Sequence, residues 1–222
     1  MNIVIESFES MKSVLGKIVV AVLLSAATHA GAQEVRITED VMEVKYTFNG
    51  KTYVISRNQD QNARIPDTYA KTSRPCPRHC LQPMSLYKDV ETVGELELLA
   101  FLQDYVSTGK GFLIDSRGSD DYRKSTIPGA VNLPSDVFLP EPNNVFFGSV
   151  MNMLSGEKSD SGEWAFKDPK DLLLFCNGKY CSRSPKAIKN LLAINYPPEK
   201  LHWYRGGMQS WTGAGFVTEI PK

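Results

Sequence analysis

The 222-residue chain is 42% hydrophobic and 23% charged. That apolar content excludes a disordered polymer and is enough for one domain of roughly 130 to 150 residues plus an extension. Lys plus Arg equals Asp plus Glu at 25 each, so no basic field argues for nucleic acid and no acidic run argues for a solvated tail.

At the N-terminus, Lys12 and Lys17 precede IVVAVLLSAATHAGA, an apolar run that closes on Ala30-Gly31-Ala32. Small residues in that spacing are the mark of a secretory cleavage site. The stretch from Ile18 to Ala27 is short of the roughly 20 residues that span a bilayer. Residues 1–32 therefore read as a cleaved signal, which predicts a periplasmic protein with no membrane contact after cleavage. Glu6 and Glu9 are unusual ahead of such a signal and make Met11 an alternative start. An exported chain meets oxidising conditions, and its cysteines, Cys76, Cys80, Cys176 and Cys181, form two close pairs. Disulfides are expected, and four cysteines allow three connectivities between which the sequence does not choose.

From Val41 to Ser56, two β-rich runs flank Asn49-Gly50, a strong hairpin signal. Periodicity then vanishes from Arg57 to Met84, an irregular connector for which Cys76 and Cys80 are the obvious staple. This gives an N-terminal β element with its connector over 33–88 and a second domain over 89–222. Thr92-Val93-Gly94-Glu95 has the pattern of a capping box, and Leu96, Leu98, Leu99, Phe101 and Leu102 predict a helix over 93–107. GFLIDSR (111–117) reads as a buried strand, DDYRKS as a helical turn and IPGAVNLP (127–134) as a turn and short strand. A helix is expected in NNVFFGSVMNMLSG, then a polar excursion through EKSDSGEWAFKDP. LLLFC (172–176) is a strand, and SPKAIKNLLAINY a helix with Pro185 in its first turn, where the missing N–H is harmless. KLHWYRGG is a strand running into a glycine turn, with His202 and Trp203 in packing roles, and MQSWTGAG a last short helix. Strands alternating with helices predict an α/β domain with a mostly parallel central sheet covered on both faces, whose ligands gather at the strands' carboxyl ends, where Cys176 stands.

Taken together, FLIDSRGSDDYRKSTIPGAVNLP, LLLFCNGKYCSRSPKAI and LHWYRGGMQSWTGAGFVT resemble, in order, the three signature segments of the rhodanese-like sulfurtransferase domain. The CNGxxC loop and the upstream RPCPxxC segment resemble an exported subgroup of that family. The resemblance implies a doubly wound fold and an enzyme that moves sulfane sulfur from a small anionic donor such as thiosulfate to a thiol acceptor or a redox partner protein. It implies Cys176 as the nucleophile, and it implies that the loop Asn177, Gly178, Lys179, Tyr180, Ser182 and Ser184 surrounds the sulfur and substrate. Asp115 and Arg117 match the first segment in structural roles, and Gly206 and Gly207 match the final turn. Two departures stand out. Thr126 replaces the family's His before Ile-Pro-Gly-Ala, which is expected to lose a structural hydrogen bond, and the cysteine loop is two residues longer than the family's.

Sulfur transfer needs a thiolate, while an unperturbed thiol of pKa about 8.5 is mostly protonated at neutral pH. The helix opening near Ser184, the Arg183 guanidinium and the Lys179 ammonium are the legible sources of positive potential. Cys181 lies within loop reach of Cys176 and is expected to resolve its persulfide by forming a disulfide; a permanent bridge is the alternative. Arg183 falls seven residues after Cys176, which does not fit the C-x5-R loop of cysteine phosphatases. No cofactor or metal is expected; a zinc site using all four cysteines, or three with His79, fits common zinc spacings poorly. The competing functions are a thiol–disulfide relay on the same fold and a non-catalytic binding module.

Overall fold

Asn49 and Gly50 both adopt positive φ, 49° and 73°, the conformation a two-residue hairpin turn demands. They join antiparallel strands β1 (Glu43–Phe48) and β2 (Lys51–Ser56). The computed structural model describes residues 34–72, 74–75 and 84–221. The expected signal segment 1–32 with its expected cleavage site, and Cys76, His79 and Cys80, lie outside the described residues.

After the hairpin, the connector holds one short helix, α1 (Asp67–Ala70), that its composition did not announce. Strand β3 (Glu91–Val93) and helix α2 (Glu95–Phe101) follow, the latter continuing as a π-helical turn over Leu102–Val106. The expected capping box is corrected here. Thr92 belongs to β3 and donates its hydroxyl to the carbonyl of Met84 at 2.5 Å. Gly94 is the capping residue, its N–H donating to Glu97 Oε2 at 3.1 Å. The helix therefore begins two residues later than its leucine pattern suggested.

The chain continues through β4 (Gly111–Asp115), α3 (Ser119–Lys124), β5 (Val131–Asn132) and a 3-10 turn (Ser135–Phe138). Helix α4 (Phe147–Met153) leads into a small antiparallel pair, β6 (Gly156–Lys158) and β7 (Trp164–Phe166), inside what reads as a polar excursion. The last elements are β8 (Asp171–Phe175), α5 (Arg183–Ala193), β9 (Leu201–Tyr204) and α6 (Gly207–Gly213).

Five strands form one sheet in the order β3-β9-β8-β4-β5, every neighbouring pair parallel. Central β8 is buried at all five positions, and the strand period of two sends its residues to two separate cores. Leu173 and Phe175 join Leu98, Leu102 and Trp211, together with Val44, Tyr46 and Ile55 of the hairpin. Leu172 and Leu174 join Met151, Ile188, Leu191 and Trp203 on the other face. Each such side chain, fully withdrawn from water, contributes about 1.5–3 kcal/mol. The chain thus has the predicted α/β architecture. From Val35 onward it forms one compact unit, within which the hairpin shares the core under the sheet.

Candidate functional site

Three loops meet at the carboxyl edge of the sheet, following β4, β8 and β9. Cys176 is the first residue after β8 and only 2% exposed. The loop after β9 holds it from behind. Met208 N–H donates to the Cys176 carbonyl at 3.0 Å and Gln209 N–H to the Asn177 carbonyl at 2.9 Å. Gly207 has φ 55°, and a Cβ there would stand 2.3 Å from the Cys176 oxygen and 2.7 Å from Gly178 N. Glycine is required at that point for both reasons. Gly178, also buried, has somewhat more room, an added Cβ standing 3.1 Å from the Gln209 Oε1 of a side chain that can shift.

Behind this loop, Asp115 and Arg117 form a fully buried ion pair, side chains 0% and 1% exposed. Arg117 Nε donates to Asp115 Oδ1 at 2.9 Å and Nη2 to Oδ2 at 2.6 Å. Burial alone would lower the Arg117 pKa, but the hydrogen bond and charge of Asp115 outweigh it and raise it above its ordinary value. A buried charge pair is tolerated only when its remaining donors are satisfied. Arg117 meets that condition: Nη2 also reaches the Ser125 carbonyl at 2.5 Å, and Nη1 reaches Tyr69 Oη at 3.1 Å and Asn177 Oδ1 at 3.5 Å. Thr126 Oγ1 donates to Asp115 Oδ2 at 2.8 Å. This corrects the expectation at that position: Thr126 supplies a structural hydrogen bond to the pair.

The six residues Cys176 to Cys181 close on themselves through a Cys176–Cys181 disulfide with a Cα–Cα distance of 6.2 Å, inside the usual span for such a bridge. Cys181 N–H donates to the Gly178 carbonyl at 2.9 Å, so among the loop amides this one is already engaged. Helix α5 opens at Arg183, with Ser182 at its cap, one residue before the expected start. Arg183 turns toward α3, its Nη1 3.1 Å from Asp121 Oδ2. Ser184 is buried, and its Oγ accepts from Trp203 Nε1 at 3.3 Å, so its hydroxyl points into the second core. Lys179 is exposed and lines a small cavity beside the β9 loop.

Residues of the connector that carry no sequence pattern complete the site. Tyr69 of α1 accepts from Arg117 through its hydroxyl, and its carbonyl accepts from Gln209 Nε2 at 3.1 Å. Arg74 stacks its guanidinium 4.5 Å from the centroid of the Tyr180 ring. Burial raises the pKa of both tyrosines above the ordinary phenol value, against the lowering effect of nearby arginines. An isolated Tyr and Arg in a polar stretch give no periodicity to read, and neither does Gln209 or Asp121. A larger cavity of about 600 Å3 lies away from this edge, near Glu141, Phe147, Trp164 and Ile194, and among the described residues no cysteine lines it. Among the described residues no group of three or more His, Cys, Asp and Glu is gathered as a metal site, and no helix is long and apolar enough to cross a membrane.

The chain matches the Rhodanese-like domain family over residues 97–214, more than half of its length. No curated protein matches. Among solved structures, the human single-domain sulfurtransferase is 24% identical, with 56% of this chain and 96% of that one covered at a TM-score of 0.38. A Rhodopseudomonas palustris protein of unknown function, described as a possible tyrosine phosphatase, is 18% identical over 60% and 88% of the two chains, TM-score 0.43. A Bacillus halodurans protein is 17% identical over 58% and 76%, TM-score 0.41.

Proposed function

Because the chain belongs to the rhodanese-like domain family, we propose that it is a periplasmic sulfurtransferase that carries sulfane sulfur from a small anionic donor such as thiosulfate to a thiol acceptor as a persulfide on Cys176. The observation that carries this reading is the placement of Cys176: at the carboxyl end of a fully buried central strand, its carbonyl fastened by Met208, with the start of an eleven-residue helix seven residues on. Helix α5 directs its positive end toward the loop, and a thiolate is favoured there.

The pair Cys176–Cys181 is bonded, so the cycle begins with its reduction by a dithiol, which leaves as a disulfide. The Cys176 thiolate attacks the outer sulfur of thiosulfate. The donor's S–S bond breaks, sulfite departs with the electron pair, and Cys176 holds a persulfide. An acceptor thiolate then attacks the terminal sulfur, and Cys176 leaves as thiolate. Without an acceptor, the Cys181 thiolate attacks Cys176 Sγ, expels hydrosulfide and restores the bridge. Asn177, Gly178, Lys179, Tyr180 and Ser182 form the loop around the sulfur, Arg183 opens α5 and pairs with Asp121, and Ser184 secures the helix start through Trp203.

Thiosulfate-to-cyanide and thiosulfate-to-dithiothreitol transfer by the pre-reduced protein tests this. Cys176→Ser should remove the activity, and equal activity in wild type and Cys176→Ser contradicts the proposal. The bonded state of the pair favours a second reading, a thiol–disulfide relay on the same fold. That reading predicts that Cys181→Ser accumulates a mixed disulfide on Cys176 with a dithiol protein, and that thiosulfate adds nothing to the reduced chain.

A further inference from the structure

The loop after β9 leaves a cavity of about 390 Å3 against the cysteine loop, lined by Lys179, Arg205, Gly206, Gln209 and Ser210. Its size lies within the range of small-ligand pockets, roughly 300 to 1,000 Å3. Two cations, a hydroxyl and a carboxamide line it, and among the described residues no carboxylate does. Lys179 comes from the cysteine loop itself, three residues past Cys176. Arg205 and Gly206 come from the turn after β9, and Gln209 and Ser210 from the first turn of α6, where the Met208 and Gln209 amides grip the Cys176 and Asn177 carbonyls. The cavity is thus held in fixed relation to the sulfur, and Gln209 is further anchored by its bond to the Tyr69 carbonyl.

Resting on the sulfur-transfer reading above, we infer that this cavity binds the carboxylate of a small acceptor thiol and so selects anionic acceptors. The donor is a poorer fit. Thiosulfate carries its charge on the transferred sulfur and on the oxygens of the sulfur bonded to it, so it is read at Cys176 itself. A cavity displaced along the loop to Lys179 and Arg205 suits a charge several bonds from the reacting atom, and charge-assisted hydrogen bonds give such a carboxylate both energy and orientation. With its carboxylate there, the acceptor thiolate attacks the terminal sulfur of the Cys176 persulfide. One S–S bond forms as the Cys176 Sγ–S bond breaks, and the electron pair returns to Cys176.

Transfer from thiosulfate to 3-mercaptopropionate, neutral 2-mercaptoethanol and cationic cysteamine, compared at equal thiolate concentration, tests this. The expected preference for the carboxylate thiol is on the order of tenfold in kcat/KM, carried by KM, because two partly exposed cations act together. Arg205→Gln and Ser210→Ala should each shrink that ratio, Arg205→Gln almost to one. Equal KM values for the three thiols overturn the inference, as does an Arg205→Gln effect on the KM of thiosulfate in place of the acceptor. If no thiol accepts sulfur, the sulfurtransferase reading fails, and an unreactive probe decides the cavity separately. 3-(Methylthio)propionate titrated into the bridged protein by NMR should bind saturably and several-fold more weakly to Arg205→Gln. Absence of saturable binding overturns the site.

Discussion

Gly207 approaches the carbonyl of Cys176 so closely that an added Cβ would lie 2.3 Å from its oxygen. The turn after β9 and the cysteine loop are therefore a single packed unit, and the second glycine of Gly206-Gly207 is its contact point. Gly207→Ala adds a left-handed backbone penalty of about 1–2 kcal/mol to that clash, which involves rigid backbone and leaves no flexible group to yield. Chemical denaturation should show a loss of more than about 2 kcal/mol, with sulfur transfer falling alongside. A fully active, stable Gly207→Ala protein would mean that the two loops are not coupled.

Arg117 sits at the hub of the buried polar network. Arg117→Ala strands the Asp115 carboxylate and should destabilise the fold by roughly 3–5 kcal/mol. Tyr69→Phe removes only the hydroxyl that accepts from Nη1 at 3.1 Å, for roughly 1–3 kcal/mol. Urea titrations of the two variants should keep that order. The reverse order would remove Asp115 from the role of the charge that Arg117 neutralises.

Arg74 covers Tyr180, the residue before Cys181. Both residues are half-buried, and a cation–π contact outside the fully desolvated interior is worth about 0.5–1 kcal/mol. Arg74→Ala should therefore leave the unfolding midpoint nearly unchanged while speeding reduction of the Cys176–Cys181 bridge by about two- to fivefold. Following the bridge by thiol titration during dithiothreitol reduction reads this directly, and an unchanged rate removes Arg74 from any role in shielding the loop.

Three buried phenols set an alkaline limit. Desolvation raises the pKa of Tyr46, Tyr196 and Tyr204 far above the ordinary value of 10.0. In the unfolded chain these phenols ionise near that value, while in the folded protein they stay protonated. Their contribution is fully present below pH 10 and is lost as the pH rises above it toward the folded values. Stability measured by urea unfolding should decline above about pH 10, and Tyr204→Phe, which removes the hydroxyl donating to Glu95 at 2.7 Å, should make that decline shallower. An equally steep decline in Tyr204→Phe would place the alkaline sensitivity in other groups.

Long apolar runs made the architecture legible. Leu172 to Phe175, Leu113 and Ile114 are buried because their side chains face covered sheet surfaces, and Asn49-Gly50 announces its turn through φ alone. Short elements were not legible. Glu91-Thr92-Val93 is too brief for a period of two to emerge, and its Thr92 imitates a cap because cap residues also suit strand ends. The β6–β7 pair is stabilised by contacts of Trp164 and Phe166 with Phe147 and Tyr196, which are distant in sequence. At the site, Cys176 was legible because it ends an apolar strand at a strand-to-helix turn. The contacts of Tyr69, Arg74 and Gln209 were not, since each depends on a partner some 50 to 140 positions away. Thr126 was misjudged because a hydroxyl in place of an imidazole still reaches the Asp115 carboxylate.

Sulfur transfer by this chain depends on Cys176 accepting the sulfur. Reduced protein exposed to thiosulfate, desalted without reductant and measured by intact mass and peptide mapping, tests it most directly. Cys176 should gain one sulfur atom, retained in Cys181→Ser and absent from Cys176→Ser. A protein that gains no sulfur, or carries it on Cys181 with Cys176 unmodified, contradicts it.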